Sequence, residues 1–300
     1  MTRRAWWAFG AMSVLWGVSY LLIRIAVRGG MPPADVAWLR VALAAAVLMA
    51  LAARAGVLGP VRGRWRWLIV YAVVEVSIPF PLIAAGEVHV SSSLAAIIIA
   101  AVPLISAGLA LRFDASERPT PARALGLLIG FAGVVALVGL DVAGNGPELL
   151  GALAVLGGAV GYSIGPMVVK QRLGGIDPRA MMGASLTAAT LVLAPFAGAG
   201  LPHRTPSAGA FAAVVALGLF CTALAFVIFA VLIREAGTSR ATVITYVNPL
   251  VALALGVALA GERPGSGAIV GLALILAGSW LSTGGRAIGR RRAQAGRIGA

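Results

Sequence analysis

The amino-acid sequence predicts an all-α integral membrane protein with ten transmembrane helices, arranged as two inverted five-helix repeats. Three observations carry this reading. Apolar runs of about 20 residues recur along the whole chain. The second half repeats the layout of the first. The basic residues alternate between rich and poor connections.

The chain is 60% hydrophobic and 11% charged, where a soluble domain carries about 25% charged residues. So little polar surface cannot cover a body of this size in water, so lipid must be part of its solvent. The formal net charge is +14, but the basic residues sit at run ends, not in one patch interleaved with aromatics. That distribution argues against a nucleic-acid partner. A lone cysteine, Cys221, excludes an internal disulfide and a cysteine-based metal site. His89 and His203 lie far apart, so neither a metal nor a cofactor is expected. Arg3 and Arg4 before an apolar run resemble a signal peptide. The run lacks an A-x-A site and continues to Val27, so it reads as an uncleaved span.

The ten runs fall at 5–27, 34–54, 66–86, 91–112, 121–141, 148–170, 180–199, 208–233, 239–260 and 265–284. At 1.5 Å per residue, such a run crosses a hydrocarbon core of about 30 Å. The connections are short and leave no room for a soluble domain. The repeat is clearest between Ser93–Val138 and Ser239–Trp280. Pro103-Leu104 answers Pro249-Leu250, Glu117-Arg118-Pro119 answers Glu262-Arg263-Pro264, and Gly126 and Gly133 answer Gly271 and Gly278. The offset is 146 residues up to the prolines and 145 after them. The expected units are residues 1–142, residues 143–285, and a basic tail, 286–300. With the N-terminus in the cytoplasm, 19 Lys and Arg fall on inner segments and 3 (Arg28, Arg204 and Arg263) on outer ones. That bias places both termini in the cytoplasm of a multi-pass inner-membrane protein. Five passes per repeat is odd, so the second copy enters the membrane upside-down.

Several side chains stand out against this apolar background. Glu75 lies about nine residues into the third run, near mid-depth. A carboxylate there costs about 2.5–3.5 kcal/mol unless it is paired, protonated or hydrated. It reads either as a proton-carrying site or as a neutral acid bonded to a neighbouring helix. Pro79 and Pro81 follow one turn later and predict a kink that frees carbonyls beside a cavity. Pro103 and Pro249 occupy matching places and read as paired hinges, or as static kinks. Trp16, Ser19, Tyr20 and Ile23 share one face of the first run. Trp16, also at mid-depth, is either a cavity wall or a core filler. Tyr162, Ser163, Phe226, Phe229, Thr242, Thr245 and Tyr246 are weaker choices of the same kind. Arg24 and Arg40 lie in the outer third of their runs. They either snorkel to the interface or form an anion contact or outer gate with Glu87. Glu117 and Glu262, each before Arg-Pro, read as helix-corner residues. Ser91, Ser92 and Ser93 can cap the fourth run. Glycines four apart, at 157, 161 and 165, at 126 and 130, and at 267 and 271, mark close helix packing.

Leu15-Trp16-Gly17-Val18-Ser19-Tyr20, Trp38-Leu39-Arg40-Val41-Ala42, Pro103-Leu104, Glu117-Arg118 and the Ser239–Gly278 block resemble the drug/metabolite transporter superfamily, in its ten-helix EamA-like branch. The resemblance covers nearly the whole chain. It implies a carrier of small metabolites with its cavity lined by helices 1, 3, 4, 6, 8 and 9, and helices 5 and 10 packed behind. One departure is Tyr162, which stands where the second half would repeat Trp16.

The expected function is a secondary transporter moving small metabolites by alternating access, mostly outward, with amino acids or related amphipathic compounds favoured. A proton-coupled exporter of quaternary ammonium compounds or drugs is the alternative, since Glu75 with Trp16, Tyr20 and Phe226 suits a lipophilic cation. A membrane-embedded enzyme would need a nucleophile, base and acid together, and no such set is visible. A passive pore would need a filter loop or charged ring. No phosphate-binding loop is present for an ATP-driven pump. The expected partners are a small-molecule substrate, membrane lipid and protons, and a monomer suffices.

Overall fold

The computed structural model describes residues 2–113, 120–142, 144–198, 205–236 and 243–282. The Glu117 corner, Ser239, Thr242 and the 286–300 tail lie outside them. The described residues contain no strand, and ten helical spans follow one another. Span 1 is Arg3–Arg28 and span 2 is Pro33–Arg54. Span 3 is built from Trp65–Ala72, Val73–Ser77 and Pro79–His89. Span 4 joins Ser92–Ile99 to Val102–Phe113, and span 5 is Pro121–Asp141. Span 6 runs Gly146–Val168 and on through Val169–Leu173, and span 7 is Pro178–Leu193. Span 8 comprises Ala208–Gly218, Leu219–Leu224 and Ala225–Ala236. Spans 9 and 10 are Ile244–Ala260 and Ser266–Ser282.

The span starts follow ordinary capping chemistry. Thr2, Ser91, Thr120, Asn145, Asp177 and Ser207 each accept a backbone N–H of the first turn with their side chains. Proline occupies the first helical turn of spans 2, 5, 6 and 7, where no N–H is needed. Gly261 ends span 9 in the left-handed region, with φ 62°.

Spans 3 and 8 share a device that hydropathy does not reveal. Each contains one wide turn, at Val73–Ser77 and at Leu219–Leu224. The repeat offset of 146 carries Val73 onto Leu219, so the two turns are copies of one another. In the first, the Ile78 N–H donates to the Val73 carbonyl five residues back, at 3.0 Å. The hydroxyls of Ser77 and Thr222 each donate to a carbonyl five residues earlier, at 3.1 and 2.8 Å. Wide turns of this kind bend a helix and recur at functional sites. Span 3 is interrupted at this wide turn, and the α-helix restarts at Pro79. The hinge prolines differ from each other. Span 4 breaks at residues 100–101, just before Pro103, whereas Pro249 sits inside a continuous helix.

The inversion is read from how equivalent spans cross. In the repeat, span 5 corresponds to span 10 and span 2 to span 7. Spans 5 and 10 form the tightest pair. Gly126 meets Gly278 and Gly133 meets Gly271, so the two helices run antiparallel. Spans 2 and 7 do the same. Trp38 Nε1 donates to the Thr190 carbonyl at 3.1 Å, while Gly183 abuts Leu48 and Met49. Two copies whose matching helices oppose one another are related by an axis in the membrane plane. The remaining contacts obey the same symmetry: span 3 packs on span 6 as span 8 packs on span 1, and span 1 packs on span 9 as span 6 packs on span 4.

Spans 5 and 10 turn Leu128, Phe131, Ile269 and Trp280 outward, as a lipid-facing edge requires. Trp6, Trp7, Trp65 and Trp280 are exposed at the expected inner end, where aromatics sit at headgroup depth.

Candidate functional site

Glu75 lies within the wide turn of span 3. Its Oε2 is buried and has no hydrogen-bond partner. Span 6 makes room for it at Gly165, where any Cβ would collide with the carboxyl. Tyr71 and Tyr162 lie within electrostatic reach. Gly161 packs against Pro79 and the Val74 carbonyl, and Gly158 against Ile83. The glycine row of span 6 thus accommodates the bent backbone of span 3.

Arg40 does not snorkel. It is 8% exposed and turns into the bundle. Its Nε donates to Thr222 Oγ1 at 2.8 Å, and its guanidinium carbon lies 4.3 Å from the Phe80 ring centroid. Phe80 meets Tyr162 edge-on at 6.3 Å. Thr222 belongs to the wide turn of span 8 and Phe80 to the segment after that of span 3, so Arg40 rests between the two equivalent bends.

Trp16 joins a second cluster, 6.2 Å from Phe226 and 5.1 Å from Phe229 between ring centroids. Ser19 and Pro79 are buried, and Tyr20, Tyr162, Phe226 and Tyr246 are half-buried. Ser163 is committed to backbone, donating to Ala159 at 2.8 Å and to Val102 of span 4 at 3.2 Å. Two hollows, of about 440 and 400 Å³, open along spans 2 and 7. One is lined by Asp35, Trp38 and Phe211, the other by Ala45, Met49 and Thr187. Neither touches Glu75, Trp16 or Tyr162. Of the side chains expected around a central cavity, Trp16 packs on Phe226 and Tyr162 on Phe80.

The expected pairing of Arg24 or Arg40 with Glu87 is not made. Arg24 forms its ion pair with Glu262 instead. Glu262 Oε1 also accepts the Ser92 N–H at 2.9 Å and the Ser92 hydroxyl at 2.7 Å, and Oε2 accepts the Ser93 N–H at 3.0 Å and the Ser93 hydroxyl. A carboxylate at a helix N-terminus satisfies orphan donors and meets the positive end of the dipole. Glu262 is therefore more than a local corner residue: it ties the second repeat to spans 1 and 4 of the first. On the same face, Asp141 accepts the Gly267 and Ala268 N–H groups at the start of span 10, at 2.9 and 2.6 Å. The Ser207 N–H donates to the Gly29 carbonyl there as well, at 2.9 Å. Glu87 is left fully buried, and neither oxygen has a partner.

Sequence reasoning missed the roles of Thr222, Asp141 and Asn248, whose amide oxygen is buried without a partner just before Pro249. The repeat itself held one signal. The offset of 146 carries Val73 onto Leu219, the first residue of each wide turn. Among the described residues, no group of His, Cys, Asp and Glu could hold a metal ion.

Comparison with known proteins supplies the family. Residues 4–139 and 149–284 each match the EamA-like transporter family. A probable terminal-alkyne amino-acid exporter of Streptantibioticus cattleyicolor is 31% identical over 296 residues, covering 96% of both chains. An inner membrane transporter of Escherichia coli, YedA, is 30% identical over 261 residues, 85% of this chain and 82% of the relative. A solved crystal structure shares the fold, with a TM-score of 0.66 at 24% identity over 93% of this chain and 96% of that one. Ten apolar spans, two opposed copies of one five-helix unit and matches to this family in both halves lead to one conclusion: the chain is a multi-pass membrane protein that belongs to the EamA-like transporter family.

Proposed function

We propose that the protein is a secondary carrier that exports small amphipathic metabolites, with amino acids the favoured class. It works by alternating access across the cytoplasmic membrane, with both termini inside. The carrying observation is the antiparallel crossing of equivalent spans at Gly126–Gly278 and Gly133–Gly271. Two opposed copies, 1–142 and 143–285, have equivalent interfaces toward either side, so rocking one against the other exchanges an outer closure for an inner one. The Arg24–Glu262–Ser92–Ser93 cluster is the outer closure in this arrangement. Pro103 and the wide turns of spans 3 and 8 serve as flexing points.

Two observations support an amino-acid substrate. The relative from Streptantibioticus cattleyicolor is a probable amino-acid exporter. Arg40 offers a buried guanidinium, held by Thr222 and Phe80, whose planar fork suits a carboxylate. Glu75 is the proton-carrying site. A second reading, export of a quaternary ammonium compound, is favoured by the aromatic cluster of Trp16, Phe226 and Phe229.

Counterflow in proteoliposomes tests the proposal. Preloading with an unlabelled neutral amino acid should accelerate uptake of the labelled one. Without trans-stimulation by amino acids or by quaternary ammonium compounds, both carrier readings fall. Acceleration by quaternary ammonium compounds alone selects the second.

A further inference from the structure

We propose that Glu87 is a positioning residue for the outer closure: it is the second acceptor for the Arg24 guanidinium, which leaves Glu262 for Glu87 when the closure opens. The inference rests on the alternating-access reading above and names the partner that such a movement requires.

The closure centres on the Glu262 carboxylate. Glu262 takes donors from Ser92, from Ser93 and from Arg24, and so joins the 261–264 corner to spans 1 and 4. When the corner moves, Ser92 and Ser93 are left at a span terminus facing the interface, where water replaces the carboxylate. Arg24 is less fortunate. It lies inside span 1 and is mostly buried, so a guanidinium stripped of its anion there is costly unless another anion is within reach.

Glu87 is the carboxyl within reach. It is 0% exposed, and neither carboxyl oxygen has a hydrogen-bond partner. Buried polar groups in native structures are rarely left this way, and an exception calls for a specific explanation. The groups facing it are few. Span 1 presents Tyr20 and Arg24, and span 2 presents Arg40. Span 6 packs against the neighbouring Gly86 with Gly151 and Val155, which carry no charge. Arg40 is already engaged by Thr222 and Phe80. Arg24 acts on Glu87 more strongly than Arg40 does, and its side chain is the one already committed to the neighbouring carboxylate of Glu262. Arg24 thus stands between an acceptor in use and an empty one. A swing of its long side chain exchanges one carboxyl partner for another, so the guanidinium is not stripped as the closure opens.

The two carboxyls therefore oppose one another, which gives a test by sign. Spin labels are placed at two exposed positions near the closure, His89→Cys and Arg263→Cys, in a Cys221→Ser background in lipid nanodiscs. Their separation is measured by pulsed dipolar spectroscopy. Glu262→Gln weakens the closed pair, and the ratio of long to short distances should rise roughly tenfold, the usual weight of one charge-assisted hydrogen bond. Glu87→Gln should lower that ratio. Added to Glu262→Gln, it should reverse most of the rise. The inference is overturned if Glu87→Gln shifts the distances in the same direction as Glu262→Gln, or leaves them unmoved in both backgrounds. Counterflow on the same proteins separates the two claims. If the labelled parent, carrying native Glu87 and Glu262, shows no trans-stimulation, the carrier reading fails whatever the distances do. If it shows trans-stimulation but the two substitutions do not oppose, only the handover fails.

Discussion

Replacing Gly278 by Ala should loosen the joint between spans 5 and 10 on which the opposed arrangement rests. A Cβ at 278 would lie 2.5 Å from the Gly126 carbonyl oxygen and 2.6 Å from the Gly130 Cα. Ordinary contacts between such atoms are about 3.5–4.0 Å, so the helices must part by about 1 Å locally. The obstructing atoms are backbone, and no rotamer change relieves them. Overpacking of this kind costs about 1–3 kcal/mol, against a gain of about 1 kcal/mol from the better helix propensity of alanine. The net loss is up to about 2 kcal/mol, at about 2–4 °C of Tm per kcal/mol. Gly133→Ala meets Leu274, Gly271 and Ile275 at 2.8–2.9 Å, so its loss should be smaller. Gly139→Ala meets nothing within 4 Å and should keep its propensity gain. Thermal unfolding of the purified protein in detergent, followed by tryptophan fluorescence, ranks the three. If Gly278→Ala is as stable as Gly139→Ala, the backbone contact is absent and the inversion argument loses its main support.

Glu75→Gln should abolish flux driven by a pH gradient, and undiminished proton-driven transport would remove Glu75 from the coupling role. Arg40→Lys should not restore what Arg40→Gln loses, because an ammonium cannot both reach Thr222 and lie flat on Phe80. Equal transport by Arg40→Lys and the native protein would make the contact one of charge alone. Asp177, which caps span 7, is held below the ordinary aspartate range chiefly by its hydrogen bond from Arg179. A lowered folded-state value means the contribution to stability is present above the unfolded value, about 3.9, and lost as pH falls through the folded one. Asp177→Asn should therefore lower Tm slightly at neutral pH and not at all in strong acid. A deficit independent of pH would assign the effect to the cap geometry instead.

The spans were legible because hydrocarbon tolerates little else. An apolar run of about 20 residues with polar ends is close to a complete specification in lipid. Every expected run has its helix, and the 34–54 and 121–141 runs match Pro33–Arg54 and Pro121–Asp141 almost residue for residue. The glycine rows were legible for a similar reason, since small residues four apart do little else on a membrane helix. The wide turns were hidden because a change from a four- to a five-residue hydrogen bond leaves hydropathy untouched. The partner of Arg24 was hidden differently. Charge and depth gave two acids at the same face, Glu87 and Glu262. What decides between them is the serine pair that opens span 4, which supplies Glu262 with donors and leaves Glu87 with none. A sequence shows where charges lie along the axis but not which helix end faces them.

The halves agree where they pack and disagree where chemistry is expected, and that pattern bears on function. The crossing glycines are repeated at Gly126, Gly271, Gly133 and Gly278, and the bends at Val73–Ser77 and Leu219–Leu224. Under the 146 offset Trp16 falls on Tyr162, Arg24 on Lys170, and Glu75 on Cys221. A perfectly duplicated carrier would favour neither side, because its two end states would have equal energy. Direction and coupling have to come from positions where the copies differ. Glu75 is such a position: span 3 carries a buried carboxyl at its bend, and the matching position in the bend of span 8 is the buried Cys221. Placing an acid in the second bend, as Cys221→Glu, and removing the first with Glu75→Gln should move the coupling group across the pseudo-two-fold axis. If the acid sets the bias, the swapped protein should keep pH-dependent exchange and alter its preference between inward and outward substrate movement. Retention of the native preference would show that the asymmetry lies elsewhere, with the Arg24–Glu262 closure the next difference to reverse.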